Sequence, residues 1–263
     1  MTFAFLFEWL PTGNNARFIL EGMLINLEIA VVAVALALAV GLALALLRLS
    51  RNRVASFAAG VWVDVFRNLP LLLLIIFLFL WIPRGWRQTW EDVIPGWAPE
   101  AFQSGLMLAG LGGLVLYNSA VLAEIMRAGI LSLPRGQREA AAALGLDYRQ
   151  QMRHVVLPQG LRRMVPAMVS QLITLNKDTT LVSIIAITEV MRRARTVTAT
   201  SGNPFVGGGV EAPILEVFVF VGLLFVAVNF TLSRLSRRLE VRERRRTGAV
   251  AKPQVRGLEE QVA

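Results

Sequence analysis

Pairs of oppositely charged side chains stand inside or beside long apolar stretches of this sequence. Asp64 and Arg67 are three residues apart, and Glu124 and Arg127 repeat that spacing. Residues three apart share one face of a helix, so each pair can form a local ion pair. Charge within an apolar span is unfavourable, and such residues are as a rule either paired or functional. Both pairs are candidates for a substrate path or a gate, and the interpretation that we favour is that they fix helix packing or form the inner gate instead of holding substrate.

Polar residues also interrupt a later apolar run. Lys177 and Asp178 are adjacent, so on a helix their side chains point in different directions and need separate partners. A helix bundle with both signs of charge inside suits a zwitterionic solute, whose ammonium and carboxylate groups each need a counterpart. Substrate binding and helix packing both remain open here. The candidate path or gate residues are Asp64, Arg67, Asn68, Glu124, Arg127, Asn176, Lys177, Asp178 and Thr179.

The elements that would hold these residues are long uncharged runs. The 263 residues are 55% hydrophobic and 17% charged, whereas an ordinary soluble domain has about 25% charged residues. A run of about 20 apolar residues is long enough to cross a bilayer as a helix. We predict an all-α integral membrane protein in which Pro70 bends the second span. The five predicted spans cover about 24–47, 57–81, 101–123, a run from about 164 that Lys177 and Asp178 interrupt, and 214–233.

The distribution of arginine predicts the orientation of the chain. Arginine is concentrated at 48–53, at 127–163 and after Arg234. The positive-inside rule puts these three regions in the cytoplasm and the N-terminus outside. The segment 192–195 argues against this topology, because it carries three arginines on the side assigned to the exterior.

The same patterns divide the chain into three parts. Residues 1–20 are predicted to be an extracytoplasmic, interfacial segment. Residues 21–240 form the transmembrane domain, which includes a polar loop at about 128–163. Residues 241–263 contain too little apolar surface to fold alone and are predicted to be a disordered cytoplasmic tail.

Several kinds of site are excluded by what the sequence lacks. It has no cysteine, and His154 is its only histidine, so thiolate and multi-histidine metal sites are excluded. No GxxxxGK[ST] motif occurs, so the chain cannot hold ATP in a P-loop, and no catalytic arrangement stands out. The net charge of +9 lies at the ends of the spans, which favours membrane lipid over nucleic acid as its partner. We therefore expect a chain that is not an enzyme, holds no cofactor and binds no nucleic acid.

The segment "REAAAALGLDYRQQMRHVVLPQG" at 138–160 has the pattern of two short helices joined by a turn. Gly145 suits the left-handed position that ends a helix, and Asp147 can cap a second helix from Tyr148 to about His154, which Pro158 would end. Ala140, Ala141 and Leu144 fall on one narrow face that another surface could approach closely. A plain connector and a DNA-reading helix–turn–helix are the alternatives, and the flanking spans argue against the second.

The spacing of Glu139-Ala140-Ala141, Gly145 and the later "VVLP" resembles the EAA loop of ABC importer membrane subunits. The stretches 63–77, 117–146 and 175–194 are similar to sequences of the polar amino-acid subfamily, so the resemblance covers roughly residues 20–240. It implies a type I ABC importer permease fold and a loop that docks on a separate ATPase subunit. The residues that it assigns to this coupling are Glu139, Ala140, Ala141, Gly145, Leu157 and Pro158.

The resemblance also implies a function and a set of partners. The chain would be the permease subunit of an importer for polar amino acids in the bacterial inner membrane, with ATP and Mg²⁺ on the partner ATPase. An extracytoplasmic solute-binding protein would deliver the substrate, and a second permease, identical or homologous, would complete the pathway. The alternative is an ion- or proton-coupled secondary carrier using Asp64, Glu124 or Asp178. The lack of a detectable internal repeat counts against that alternative.

Overall fold

The computed structural model describes residues 9–10, 14–200 and 212–246, and every regular element within these ranges is helical. A π-helical turn, Gln151–Val156, joins α8 to α9, and a 3-10 helix, Thr179–Ile185, follows α9. The all-α architecture expected from the apolar runs is confirmed. The α-helices are α1 Asn15–Arg48, α2 Arg53–Asn68, α3 Leu71–Trp81, α4 Arg84–Val93, α5 Glu100–Gln103, α6 Met107–Leu131, α7 Arg135–Ala143, α8 Tyr148–Gln150, α9 Leu157–Asp178, α10 Val190–Thr200 and α11 Ile214–Arg246.

Helices α1 and α6 form the centre of the bundle and pack along each other more extensively than any other pair of described helices. The 34 residues of α1 extend for about 51 Å, which exceeds the roughly 30 Å hydrocarbon thickness of a bilayer. Small residues permit the close approach. A Cβ at Gly41 would lie only 2.9 Å from the carbonyl oxygen of Ser119, and Ala37 and Ala45 are fully buried on the same helix.

The second predicted span is broken into two helices. α2 and α3 meet at an angle of 104° around Pro70. Leu69 has an extended backbone with ψ 138°, as expected for a residue that precedes proline. The predicted bend is confirmed, and it is sharp enough to allow either a broken span or a re-entrant loop.

The third span is displaced from its predicted position. Continuous helix begins at Met107 and continues to Leu131, whereas the apolar pattern predicted 101–123. The chain is extended at Ser104, with ψ 129°, so α5 is separate from α6. Hydrogen bonds tie this connection together, because Trp90 Nε1 donates to the Phe102 carbonyl at 2.7 Å and the Gly105 N–H donates to Glu91 at 2.8 Å.

Pro158 does not end the second helix of the polar loop, contrary to the prediction. The helix that starts at Tyr148 continues through the π-helical turn and α9 to Asp178. Pro158 lies in the first turn of α9. The π-helical turn directly before it already departs from α-helical hydrogen bonding, since the Leu157 N–H donates to the Met152 carbonyl five residues back.

The fourth and fifth predicted spans end differently from one another. α9 stops at Asp178, as the interruption by Lys177 and Asp178 predicted, and the 3-10 helix then leads to Ala186 in a left-handed conformation. α11 continues to Arg246, so residues 241–246 are helical and do not belong to a disordered tail. Arginine, glutamate and leucine are good helix formers, which explains the extension. Residues 247–263, and 1–8 and 11–13 of the predicted interfacial segment, lie outside the described residues.

Among the described residues, α1, α6 and the Ile214–Arg234 part of α11 are long and apolar enough to cross a membrane, and the α2–α3 pair makes four spans if it counts as one. α9 corresponds to the remaining predicted span. It has 22 residues but does not pass as an apolar span, because it carries Arg162, Arg163, Lys177 and Asp178. Its polar face requires protein or water beside it.

Candidate functional site

The turn between α7 and α8 has the geometry that the sequence predicted. Gly145 adopts φ 77°, and a Cβ at this position would meet no atom within 4 Å. The N–H of Gly145 donates to the Ala142 carbonyl at 2.9 Å, and that of Leu146 donates to the Ala141 carbonyl at 3.2 Å. These two bonds form a Schellman motif. Glycine is needed here for its backbone conformation and not for space.

A capping box starts the second helix of the loop. The Gln150 N–H donates to Asp147 Oδ1 at 2.8 Å, and the Asp147 N–H donates to Gln150 Oε1 at 2.9 Å. Each side chain satisfies one N–H that the start of a helix leaves unpaired. The predicted cap is confirmed. We call residues 135–157, with α7, the turn and the start of the second helix, the knuckle.

The knuckle presents an uneven surface. Leu144 is 81% exposed, and Glu139, Ala140 and Pro158 are exposed too. Ala141 is only 3% exposed, so the predicted single face of Ala140, Ala141 and Leu144 is wrong. Successive helical residues differ by about 100° in direction, which turns Ala141 inward while Ala140 faces outward.

The knuckle is attached to the rest of the chain on several sides. Tyr148 Oη donates to the Leu49 carbonyl at 3.2 Å, which joins the knuckle to the turn after α1. Arg163 Nη1 donates to the Ser132 carbonyl at 3.1 Å. A Cβ at Gly160 would lie 3.0 Å from Ile130 Cα. Tyr148 thus fixes the knuckle itself to the end of α1, while the other two contacts join α6 and the residue after it to α9, the two helices that flank the knuckle.

The predicted Glu124–Arg127 pair is part of a larger ion cluster. Glu124 Oε2 lies 2.9 Å from Arg127 Nη2, and Glu124 Oε1 also pairs with Arg48 at the end of α1. The side chains of Glu124 and Arg48 are each only 20% exposed. Sequence spacing did not suggest Arg48, because its contact with α6 depends on the tertiary packing. The cluster joins α1 to α6.

The Asp64–Arg67 pair lies on the surface of α2. Its Oδ1–Nη2 distance is 3.2 Å, and the two side chains are 53% and 43% exposed. Asn68 Nδ2 donates to the Asp64 carbonyl at 2.6 Å. The structure therefore brings these three residues together without an ion pair to the Glu124 cluster, although Asp64 and Arg67 are close enough to Arg48 of that cluster to interact with its charge.

Two of the candidate path residues are interior braces. Asn176 and Thr179 are fully buried. Asn26 Nδ2 donates to Thr179 Oγ1 at 2.8 Å, and Asn26 Oδ1 accepts from the Val190 N–H at 3.0 Å. Asn176 Nδ2 donates to Asn229 Oδ1 at 3.2 Å. This arrangement, which we call the polar junction, joins α1, the end of α9, α10 and α11.

Lys177 and Asp178 lie beside the polar junction but differ from it in exposure. Lys177 is exposed, and Asp178 is partly buried. No described residue lies within ion-pair distance of either one. Ser170 and Thr174 are also exposed on α9. α9 therefore carries a polar, uncompensated face that ends at the break of the helix.

The arginines at 192–195, which argued against the predicted orientation, have a structural explanation in part. Arg193 is only 9% exposed. Its Nη1 donates to the Phe18 carbonyl at 2.9 Å and pairs with Glu21 at 3.0 Å, both on α1. The fully buried Glu189 accepts from the Arg192 N–H at 2.9 Å and so caps α10. Neither role was evident from the sequence, because each depends on a partner brought in by the fold.

Comparisons with known proteins identify the family. The family described as "binding-protein-dependent transport system inner membrane component" matches residues 33–245. A probable glutamine ABC transporter permease protein of Bacillus subtilis (strain 168) is 37% identical over 230 residues, covering 88% of this chain and 95% of that protein. A glutamate/aspartate import permease protein of Escherichia coli O6:H1 is 30% identical over 229 residues, covering 87% and 95%.

A solved structure agrees with these relatives. The crystal structure of an amino acid ABC transporter with histidines superposes with a TM-score of 0.68 at 26% identity, covering 88% of this chain and 94% of that one. The match in sequence and fold confirms the resemblance to the permeases of ABC importers for polar amino acids. This chain belongs to the family of binding-protein-dependent transport system inner membrane components, and it is a multi-pass membrane transport subunit.

Proposed function

We propose that this chain is the permease subunit of an ATP-driven importer that moves polar amino acids into the cytoplasm. The relatives, each matched over 95% of its own length, carry names that refer to glutamine and to glutamate and aspartate. The observation that carries the proposal is the knuckle, a capped pair of helices with an outward apolar residue, attached to three membrane helices. None of these relatives supports the secondary-carrier alternative.

The knuckle is the proposed contact with the ATPase subunit, which would hold ATP and Mg²⁺. Leu144 and Ala140 provide the outward surface, and Glu139 lies beside them. Gly145 and Ala141 act differently, since Gly145 sets the turn and Ala141 packs inward. Leu157 and Pro158 lie where the knuckle enters α9. Movement of the ATPase surface would thus be transmitted to α9 and, through Tyr148, to α1.

The exposed face of α9 is the proposed substrate path. Lys177 suits the carboxylate of an amino acid, and Asp178 suits its ammonium group. Because neither has an ion-pair partner among the described residues, both are available to a substrate or to a second permease. Asn176 and Thr179 support this face from the interior, while Glu124 with its arginines fixes the helices or acts as an inner gate. We place Asp64, Arg67 and Asn68 at the helix surface as packing residues.

The proposed topology has the N-terminus outside and the C-terminus in the cytoplasm. The knuckle then faces the cytoplasm, where the ATPase is. An extracytoplasmic solute-binding protein delivers the amino acid, and a second permease completes the path on the open side of α9. Arg193 fits this topology, because its pairing with Glu21 compensates a positive charge on the outer side.

A co-purification experiment tests the coupling role. The tagged full chain is isolated in mild detergent from its native membranes, and bound proteins are identified by mass spectrometry. We expect an ATPase subunit with a P-loop to bind the wild type and Val93→Asp, and to be lost with Leu144→Asp. Val93 is a matched control, because it is an apolar side chain 70% exposed on α4, away from the knuckle. Retention by Leu144→Asp would contradict the docking surface.

An uptake assay tests the path. In proteoliposomes with the complete transporter, Lys177→Gln should lower ATP-dependent uptake of the preferred amino acid about 10- to 100-fold, the effect of losing one charge-assisted hydrogen bond. ATPase binding should be unchanged. The control is Thr231→Val, an exposed position on α11. Uptake that needs no ATP and is abolished by a proton ionophore would replace the proposal with the secondary carrier.

A further inference from the structure

A groove with a volume of 760 Å³ separates the end of α1 from the second helix of the knuckle. Its floor is apolar and is formed by the half-buried side chains of Leu46, Leu49, Met152 and Leu157. The volume is within the range of about 300–1,000 Å³ that holds small-molecule ligands. We call it the basic groove, because of the residues at its edge.

The edge of the basic groove is cationic. Arg149, Arg153 and His154 line it and are exposed, and none of them forms an ion pair with a described residue. No carboxylate belongs to the lining. Asp147 is adjacent in sequence, but its Oδ1 is engaged in the capping box. The rim therefore has positive charge without compensation from its own lining.

The two walls of the groove are held together by contacts within the chain. Tyr148 Oη donates to the Leu49 carbonyl, so the knuckle wall is fixed to the α1 wall. Arg51 lies over the Tyr148 ring, with its guanidinium carbon 4.7 Å from the ring centroid. Arg51 is thus a third arginine near the groove, in addition to Arg149 and Arg153. A preformed groove spares a ligand the entropy of ordering its site.

We propose that the basic groove binds an anionic phospholipid, with its phosphate among Arg149, Arg153 and His154 and an acyl chain along the apolar floor. This inference rests on the proposed function in one respect, which is that the knuckle lies at the cytoplasmic face. Basic pockets between membrane helices on that face hold anionic headgroups. A soluble anion would use the arginines but not the floor, whereas a lipid uses both.

Binding is measured by native mass spectrometry of the full-length chain in neutral detergent, titrated with phosphatidylglycerol or with phosphatidylcholine of the same chain length. We expect preferential binding of phosphatidylglycerol. The double variant Arg149→Gln/Arg153→Gln should weaken it about 10-fold or more, since each surface arginine contributes to the attraction. The matched control Arg237→Gln/Arg238→Gln removes the same charge from exposed positions of α11 and should stay within about twofold of the wild type.

The apolar floor is tested separately by Met152→Gln, which leaves every cation in place. We expect this variant to weaken phosphatidylglycerol binding while the wild-type preference for the anionic headgroup persists. Equal losses in both double variants would overturn the site in favour of general surface charge. Competition by millimolar inorganic phosphate, with no effect of Met152→Gln, would overturn it in favour of a soluble-anion site.

The experiments distinguish a failure of the lipid site from a failure of the proposed function. If the intact complex with its ATPase loses the lipid preference that the chain alone shows, the ATPase covers the groove and the inference fails. If no ATPase co-purifies but the groove still selects phosphatidylglycerol, the proposed function fails and the lipid site stands.

Discussion

The knuckle and the polar junction are both built from polar side chains, but they are assembled over very different distances along the chain. In the knuckle, the capping bonds join residues three positions apart. In the polar junction, Asn26 reaches partners 153 and 164 residues away. A local motif can form as soon as its own residues meet, whereas a junction exists only after several helices have packed. The first can therefore form locally, whereas the second is a brace that depends on the packed bundle.

The largest expected effect is on the junction. Asn26→Ala leaves the buried Val190 N–H and the Thr179 hydroxyl without their shared partner, which should lower the free energy of unfolding by about 2–4 kcal/mol. The measurement is thermal unfolding in detergent, followed by tryptophan fluorescence. Thr174→Ala, at an exposed position on α9, is the control and should shift the midpoint little. An unchanged unfolding midpoint for Asn26→Ala would mean that the polar junction does not brace the helices.

The next effect is on the turn of the knuckle. Gly145→Val forces a β-branched residue into φ 77° and should strain the turn by about 1–2 kcal/mol. We expect normal membrane insertion but strongly reduced ATP-dependent uptake, because the knuckle loses its shape. Gly145→Asn should be much milder, since asparagine tolerates the left-handed region. Equal uptake by the two variants would mean that the turn geometry is unimportant.

A smaller effect is expected at the cap. Asp147→Ala removes the acceptor for the Gln150 N–H and should destabilise the start of the second helix by about 1 kcal/mol. Hydrogen exchange followed by mass spectrometry should show faster exchange at 148–152 and unchanged exchange around the polar junction. Faster exchange in both regions would show that the knuckle and the junction are one cooperative unit.

The smallest effect is expected at the surface of α2. Asp64→Asn breaks an ion pair whose two side chains are 53% and 43% exposed, so the change in stability should be below about 0.5 kcal/mol. Uptake should remain near the wild-type rate. A large loss of uptake with normal stability would indicate instead that Asp64 belongs to the substrate path.

The comparison also explains which parts of the molecule the sequence could predict. Gly145, Asp147 and the interruption at Lys177 and Asp178 each act on their immediate neighbours, so their types and spacing were sufficient. Pro70 likewise acts on the residue before it, so the bend in the second span could be predicted from this proline alone. The start of α6 was predicted six residues too early, because an apolar composition does not distinguish helix from a hydrogen-bonded connection.

Residues with distant partners could not be predicted in the same way. Arg48 is one of many arginines near the ends of spans, and only the packing of α1 against α6 gives it Glu124 as a partner. Glu189 and Arg193 became interior residues for the same reason. Ala141 shows the limit of periodicity, because three residues near one face of a short helix need not share the same exposure. The helix beyond Pro158 was missed because proline was read as a stop, whereas Pro158 follows a π-helical turn inside one continuous helix.

The π-helical turn at Gln151–Val156 has a consequence for direction. A π-turn amounts to one extra residue in a helix, and one residue corresponds to about 100° of rotation. The side chains of α8, before the π-helical turn, and those of α9, after it, are therefore rotated about the helix axis by that angle relative to a continuous α-helix. Removing one residue from this turn would restore continuous phase, so that a push on Leu144 would reach a different side of α9. The turn thus sets which side of α9 faces the same direction as the start of the knuckle's second helix.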